Sequence, residues 1–358
     1  MNKNEQLKDI VFIELKEPMV IGTITIPTIP LPVRLTSLVT GIKSGDLEEN
    51  FNLLRVTEGI VYLLGIEPDF KYKDEYRAII HILNNPKDYI LALAKTYYDN
   101  DKLDEARTYL NAESALLDSD ADVAFTKLNI DEELFSLRQE ELNDDERSAW
   151  IAQLVQGYEH LCDIGYTLAY YKLGYINHNL GNELKAYLYF KKFLETTDNE
   201  ELKNDVRLLI DDIKDSARME EAETYLSYGK FAQAASALDE VSASYPQLDK
   251  LYYYKSLVAY NGGQHNEALR WVLQALELNK EEAYYNQKAL ILLSVGNNIA
   301  AEDTYREGIA TFPSSYTMLY NLGILLINMG RRDGIDYLKQ ANAIEPSDTL
   351  AQMIDTYI

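Results

Sequence analysis

Residues 227–246 read SYGKFAQAASALDEVSASYP, residues 260–279 YNGGQHNEALRWVLQALELN and residues 294–313 SVGNNIAAEDTYREGIATFP. Laid over one another, the three stretches keep a glycine in a turn (Gly229, Gly263, Gly296) and an alanine five positions on (Ala234, Ala268, Ala301). The glycines recur at intervals of 34 and 33 residues. Pro246 and Pro313 close two of the units, each seventeen residues beyond its turn glycine. A fourth stretch, NMGRRDGIDYLKQANAIEP (328–346), repeats the scheme with one residue fewer in the turn, so that Gly334 stands in the alanine position. Each feature has a mechanical reason. A glycine closes a helix in a left-handed conformation without a Cβ clash. A small residue five positions later lets two antiparallel helices approach closely, and a proline stops the second helix. The pattern therefore predicts stacked helical hairpins.

Working outward, the same spacing resembles the tetratricopeptide repeat family over 87–113 and 167–346. ILALAKTYYDNDKLDEARTYL (90–110) supplies Leu93, Ala94, Tyr97 and Ala106. YYKLGYINHNLGNELKAYLYFKKF (170–193) supplies Leu173, Gly174, Gly181, Ala186 and Phe190, with Asn177 where the family favours an aromatic. Later units bring Ala222, Tyr225 and Leu238, then Ala275, Ala289, Tyr305 and Gly308, and finally Leu322, Gly323, Gly330 and Ala341. Ser256 replaces the usual glycine or alanine and Ala259 the usual aromatic. An insertion interrupts the array near 199–214.

The resemblance implies an all-α solenoid of helical hairpins preceded by a short extended N-terminal arm. On this reading the chain divides into the arm (1–34), an N-terminal helical extension (35–86), a first repeat-like unit with degenerate hairpins (87–166), a regular array (167–346) and a C-terminal capping helix (347–358). In the extension, GDLEEN (45–50) reads as a repeat-like turn; at the far end, Ser347 or Asp348 is expected to cap a last helix covering the final repeat.

The resemblance further implies that the first helix of each hairpin lines a concave inner surface. The positions that would point into it are Leu91 and Tyr98; Leu168, Tyr171, Tyr175 and His178; Met219 and Leu226; Tyr253, Leu257 and Tyr260; Asn286, Leu290 and Leu293; and Tyr320, Ile324 and Ile327. The expected lining is apolar and rich in tyrosine, a residue enriched at interfaces because it offers contact area at low rotamer cost. The same tyrosines also read as packing between helices. Lys and Asn at these positions, the pattern of carboxylate-clamping repeats, occur only singly, as Lys250 and Asn286. An extended, largely apolar peptide is the expected ligand, and a non-enzymatic protein-binding scaffold the expected role. A peptide-sensing regulator of the bacterial helical-repeat type is the second reading; residues 35–84 show no basic recognition helix for it.

Composition narrows the partners. Of 358 residues, 34 are Lys or Arg and 58 Asp or Glu, a formal net charge of −24. Such a surface repels phosphate backbones and anionic lipid, so nucleic acid and membranes are disfavoured; the charge itself reads first as keeping the protein soluble, with a basic partner protein as the alternative reading. A single cysteine, Cys162, rules out an intrachain disulfide and fits a reducing compartment. With scattered charges at the N-terminus and no long apolar run, the cytoplasm is the expected location. The four histidines are dispersed, and His160 and Cys162 diverge on a helix. DSDADV (118–123) lacks the glycine a calcium loop needs and reads as a capping turn. There is no phosphate-binding or nucleophile-elbow motif, so neither a cofactor nor a metal nor a catalytic residue is expected.

One stretch stands apart. TITIPTIPLPVR (23–34) carries three prolines and a single charge, Arg34. Proline excludes a helix and suits an extended path. The burial of Ile24, Ile26, Ile29, Leu31 and Val33 is offset by the backbone entropy of ordering the strip, so only a preformed surface settles it. Three outcomes remain open: packing on the chain's own helices, pairing with VFIEL (11–15), or a free arm for a partner.

Overall fold

The computed structural model describes residues 3–21, 24–37, 53–117 and 120–357. These residues are overwhelmingly helical, the all-α repeat architecture read from the period, with strands confined to the N-terminal segment. The chain forms two compact units, Met1–Ile176 and Asn177–Ile358.

The first unit opens with α1 (Lys3–Leu7) and strands β1 (Ile10–Ile13), β2 (Met19–Ile21), β3 (Ile24–Ile26) and β4 (Leu31–Arg34). Helices α2 (Leu53–Ile66), α3 (Lys73–Ile80), α4 (Pro86–Tyr98), α5 (Leu103–Asn111), α6 (Glu113–Leu116), α7 (Ala121–Arg138), α8 (Asp144–Asp163) and α9 (Thr167–Asn179) follow, the division between units falling inside α9. The repeat-like turn expected at 45–50 lies outside the described residues. So do Asp118 and Ser119, but Asp120 caps α7, its carboxylate accepting from the N–H of Asp122 and Val123. The off-motif stretch 114–166 becomes the two long helices α7 and α8, the second opened by a reciprocal Asn143–Glu146 capping box.

The proline strip resolves as two of its three possible outcomes at once. β4 pairs antiparallel with β1, Ile10 opposite Arg34 and Ile13 opposite Leu31, while β2 and β3 form a smaller hairpin inside this ladder. All four residues of β4 are buried, and Ile26, Leu31 and Val33 join the core with Ile60, Leu63 and Leu64 of α2. The side chain of Ile24 lies outside the described residues. The preformed surface is α2 at Gly59. A Cβ there would run into the Pro32 carbonyl and the Val33 backbone, so only glycine allows the strand to cross so close.

Arg34, the strip's one charge, is 3% exposed. Its Nε and Nη2 donate to Asp9 Oδ2 at 2.7 and 2.6 Å, and its Nη1 donates to the hydroxyls of Tyr97 and Tyr109 at 2.6 and 2.7 Å. The guanidinium lies 3.9 Å from the ring centre of Tyr62. Both tyrosine hydroxyls in turn donate to Glu58 Oε1, at 3.1 and 3.0 Å. Burial alone would lower the guanidinium pKa, but Tyr109, Tyr97 and Asp9 hold it above its ordinary value. The cation is thus enclosed by acceptors and a ring face, the arrangement a buried arginine requires.

The second unit contains α10 (Glu183–Thr196), α11 (Glu200–Ser227), α12 (Phe231–Asp239), α13 (Leu248–Asn261), α14 (His265–Leu278), α15 (Glu282–Ser294), α16 (Asn298–Thr311), α17 (Tyr316–Asn328), α18 (Gly334–Ile344) and α19 (Asp348–Tyr357). The pairs α11/α12, α13/α14, α15/α16 and α17/α18 are the predicted hairpins. Their turn glycines, Gly229, Gly263, Gly296 and Gly330, have φ of 67, 72, 77 and 77°. A Cβ on any of these four would meet nothing within 4 Å, so the sign of φ and not crowding selects glycine. The hairpin crossings show the opposite. Ala234, Ala268 and Ala301 are fully buried, and a Cβ on Gly334 would strike the carbonyl of Gly323 on the facing helix. Ser256, the odd residue at one crossing, is buried and donates to the Ala268 carbonyl at 2.9 Å.

Two further expectations meet their structural form here. The insertion near 199–214 does not loop out; it lengthens a first helix, so that α11 runs unbroken for 28 residues from an Asn199 cap. Ser347 precedes α19, whose Leu350 N–H reaches the serine Oγ at 3.4 Å, and Leu350 and Ile354 cover Leu319, Leu338 and Ala341. Among the described residues no helix is long and apolar enough to cross a membrane.

Candidate functional site

The spacing of Leu91, Ala94, Lys95 and Tyr98 places them on one face of α4, and Thr126, Asn129, Ile130 and Glu133 share one face of α7. The two faces bound a cleft of about 360 Å³. Ala94 and Ile130, at 2% and 4% exposure, form its apolar floor. The rim is polar. Tyr98 is 41% exposed and its hydroxyl bonds Glu133, which holds the phenol above its ordinary pKa. Lys95 pairs with Asp99, and Asn129 Oδ1 accepts from the Tyr158 hydroxyl at 3.1 Å. An apolar floor with a few fixed polar groups at the mouth is the usual character of a recognition cleft.

Of the residues expected to face a partner, Leu91 and Tyr98 therefore line an actual hollow. Tyr171 and Tyr175 sit one turn apart on α9, half-buried, with ring centres 4.8 Å apart. His178 is engaged elsewhere: its Nδ1 lies 2.9 Å from Glu183 Oε2, across the turn that carries Gly181.

In the second unit, Tyr253, Leu257 and Tyr260 on α13, Asn286, Leu290 and Leu293 on α15, and Tyr320, Ile324 and Ile327 on α17 are all half-buried. α13 packs on α15 and α15 on α17, so these residues share one succession of first-helix faces. Part of each tyrosine serves packing. Tyr253 lies 4.9 Å from Tyr284, ring to ring, and burial raises its pKa; Tyr260 lies against His265, and Tyr320 stacks on Tyr316 at 5.9 Å. Asn286 Oδ1 accepts from Asn321 Nδ2 at 2.8 Å, tying α15 to α17. Met219, expected on the same face, is 4% exposed and belongs to the core with Leu238 and Leu251. The far wall of the α4–α7 cleft was not legible beforehand, because α7 lies in a stretch with no repeat signature.

The tetratricopeptide repeat family matches residues 168–199 and 219–283. The Photosystem I assembly protein Ycf3 of Prochlorococcus marinus is 31% identical over 85 residues, covering 23% of this chain and 49% of that protein. The TPR repeat-containing protein MJ1428 of Methanocaldococcus jannaschii is 23% identical over 199 residues, covering 53% and 32%. Human tetratricopeptide repeat protein 7B is 28% identical over 110 residues, covering 30% and 13%. The chain thus spans between 13% and 49% of the length of these relatives. Among solved structures, that of YrrB, described as a TPR protein with an unusual peptide-binding site, aligns over 56% of this chain and 97% of its own at 16% identity and a TM-score of 0.38. Left-handed turns at one hairpin period, small residues buried at the crossings and two matches in sequence converge on one conclusion: the chain carries tetratricopeptide repeats over residues 168–199 and 219–283.

Proposed function

We propose that the protein is a non-enzymatic scaffold that holds an extended, largely apolar segment of a partner protein against the first-helix faces of its hairpins. The observation that carries this reading is the α4–α7 cleft. Leu91 and Tyr98, two positions that repeat geometry assigns to the inner face, line a hollow with a buried apolar floor, where a peptide side chain can be desolvated. Tyr171 and Tyr175 in the same unit, and Tyr253, Tyr260, Asn286 and Tyr320 in the second, offer the same chemistry of aromatic area with a hydroxyl or amide at its edge. The net charge of −24 favours basic residues flanking the apolar segment and disfavours nucleic acid and anionic membranes.

The test is a random peptide library displayed against the full chain, with the selected peptides measured by fluorescence anisotropy. Tyr98→Ala, and separately Tyr253→Ala combined with Tyr320→Ala, should weaken binding by about tenfold or more, the usual effect of removing an aromatic anchor. Helical circular dichroism should be unchanged. Selected peptides whose affinity is indifferent to both variants would remove the first-helix faces from consideration.

A further inference from the structure

The α4–α7 cleft is one-sided in charge. Its floor, Ala94 and Ile130, is apolar and buried, and Leu91 extends that surface up one wall. Two acceptors stand one turn apart on the α7 wall: the Oδ1 of Asn129 and the carboxylate of Glu133, which can only accept. Tyr98 faces them from α4 and donates to Glu133, and the same phenol feels the charges of Asp99 and Asp101 just beyond its helix. Lys95, the cation in the lining, is taken by Asp99 at 3.0 Å. Glu132 is likewise taken, by Lys172 at 2.6 Å, but Glu133 has no ion-pair partner among the described residues. Three carboxylates and the negative end of the α4 dipole thus stand around one ammonium at this mouth.

We propose, on the scaffold reading above, that this cleft receives an arginine side chain of the bound segment, its aliphatic stem on Ala94 and Ile130 and its guanidinium on the Glu133 carboxylate. A volume of about 360 Å³ is at the small end of ligand sites, room for one long side chain and not for a helix. An apolar side chain would cover the floor but dehydrate Glu133 and Asn129 without pairing them, a cost of the same order as the burial gains. An acidic side chain or a phosphate would meet Glu133, Asp99 and Asp101. Lysine brings the right charge as a compact, strongly hydrated ammonium. A guanidinium is more weakly hydrated, lies flat on a ring such as that of Tyr98, and meets a carboxylate through two parallel N–H bonds. Tyr98 keeps its own bond, since a carboxylate offers about four lone-pair sites.

Peptides selected from a random displayed library on the full chain test this. Those weakened by Tyr98→Ala are remade with citrulline, the uncharged isostere of arginine, at each arginine in turn, and measured by fluorescence anisotropy. Arginine should recur at one position of the Tyr98-dependent peptides, and its citrulline form should bind the wild-type chain about tenfold or more weakly. On Glu133→Gln the arginine and citrulline forms should bind alike, within about threefold, the pattern of a direct pair in a double-mutant cycle. Glu277→Gln removes one charge at an exposed site in α14 and should leave both affinities unchanged, which separates local pairing from attraction by the net charge of −24. Unchanged helical circular dichroism shows that each variant folds. Tyr98-dependent peptides without a recurring arginine, or a citrulline penalty undiminished in Glu133→Gln, overturn the arginine assignment and leave the scaffold reading standing. A library yielding no Tyr98-dependent peptide overturns it too, and the scaffold reading falls with it only if Tyr253→Ala combined with Tyr320→Ala is equally without effect.

Discussion

Arg34 joins the N-terminal ladder to the first repeat-like hairpin, and its removal should be among the most costly single changes to the first unit. Arg34→Ala deletes two bonds to Asp9, one each to Tyr97 and Tyr109, and the contact with the Tyr62 ring. Removing one partner of a buried ion pair costs about 3–5 kcal/mol. Here the lower part of that range applies, because the abandoned groups keep some partners. Glu58 still accepts from both tyrosines, and Asp9 still accepts from the N–H and hydroxyl of Thr36. Expecting about 3 kcal/mol, the Leu35 amide should exchange with solvent roughly 150-fold faster in native-state hydrogen exchange. Amides in α15, in the other unit, should not change, since distant sites act independently. A local probe is the right assay because two compact units need not unfold in one step. Arg34→Met keeps the aliphatic stem and discards the charge. If it leaves Leu35 exchange within about threefold of wild type, the ion pair only breaks even against an apolar isostere, and the reasoning that places stability in this network is wrong.

Three other outcomes follow from the same packing. Gly59→Ala forces a methyl into the Pro32 carbonyl, which backbone cannot yield cheaply; the strip should lift from α2, with faster proteolysis within residues 24–37 and a loss of about 2–3 kcal/mol. Ser256→Ala removes a buried bond to a carbonyl and should cost about 1 kcal/mol in urea unfolding, whereas Ser256→Leu should open the α13/α14 hairpin and cost several times more. Burial pushes the phenols of Tyr62 and Tyr305 up to about 12, from an ordinary value near 10. The folded state therefore retains protons that the unfolded chain releases, so stability is full below pH 10 and falls as pH rises toward and through 12, by up to about 2–3 kcal/mol per residue. Tyrosinate absorbance should rise together with loss of helical dichroism; ionisation of all 28 tyrosines with the helices intact would contradict the burial.

The hairpin period was legible in the residues themselves because its determinants are local. A turn glycine reports a left-handed φ, and a small residue at a crossing reports a missing volume; both are properties of one position and its nearest helix. Where the determinant was not local, the letters were silent or ambiguous. Asp101 takes the left-handed turn of the α4/α5 hairpin, with φ of 59°, without the glycine that would announce it. The wall that α7 gives to the cleft carries no repeat signature, and the lone charge in TITIPTIPLPVR does not name its partners. Asp9, Glu58, Tyr97 and Tyr109 lie up to 75 positions from Arg34 and reach it only after β4 has crossed α2 at Gly59. Sequence alone thus determined the repeat, its turns and the close approach of paired helices. Tertiary structure decided where the strip lies, which charge is buried and which first-helix residues open onto a cleft, because desolvating a cation or a phenol depends on distant groups brought within hydrogen-bond reach.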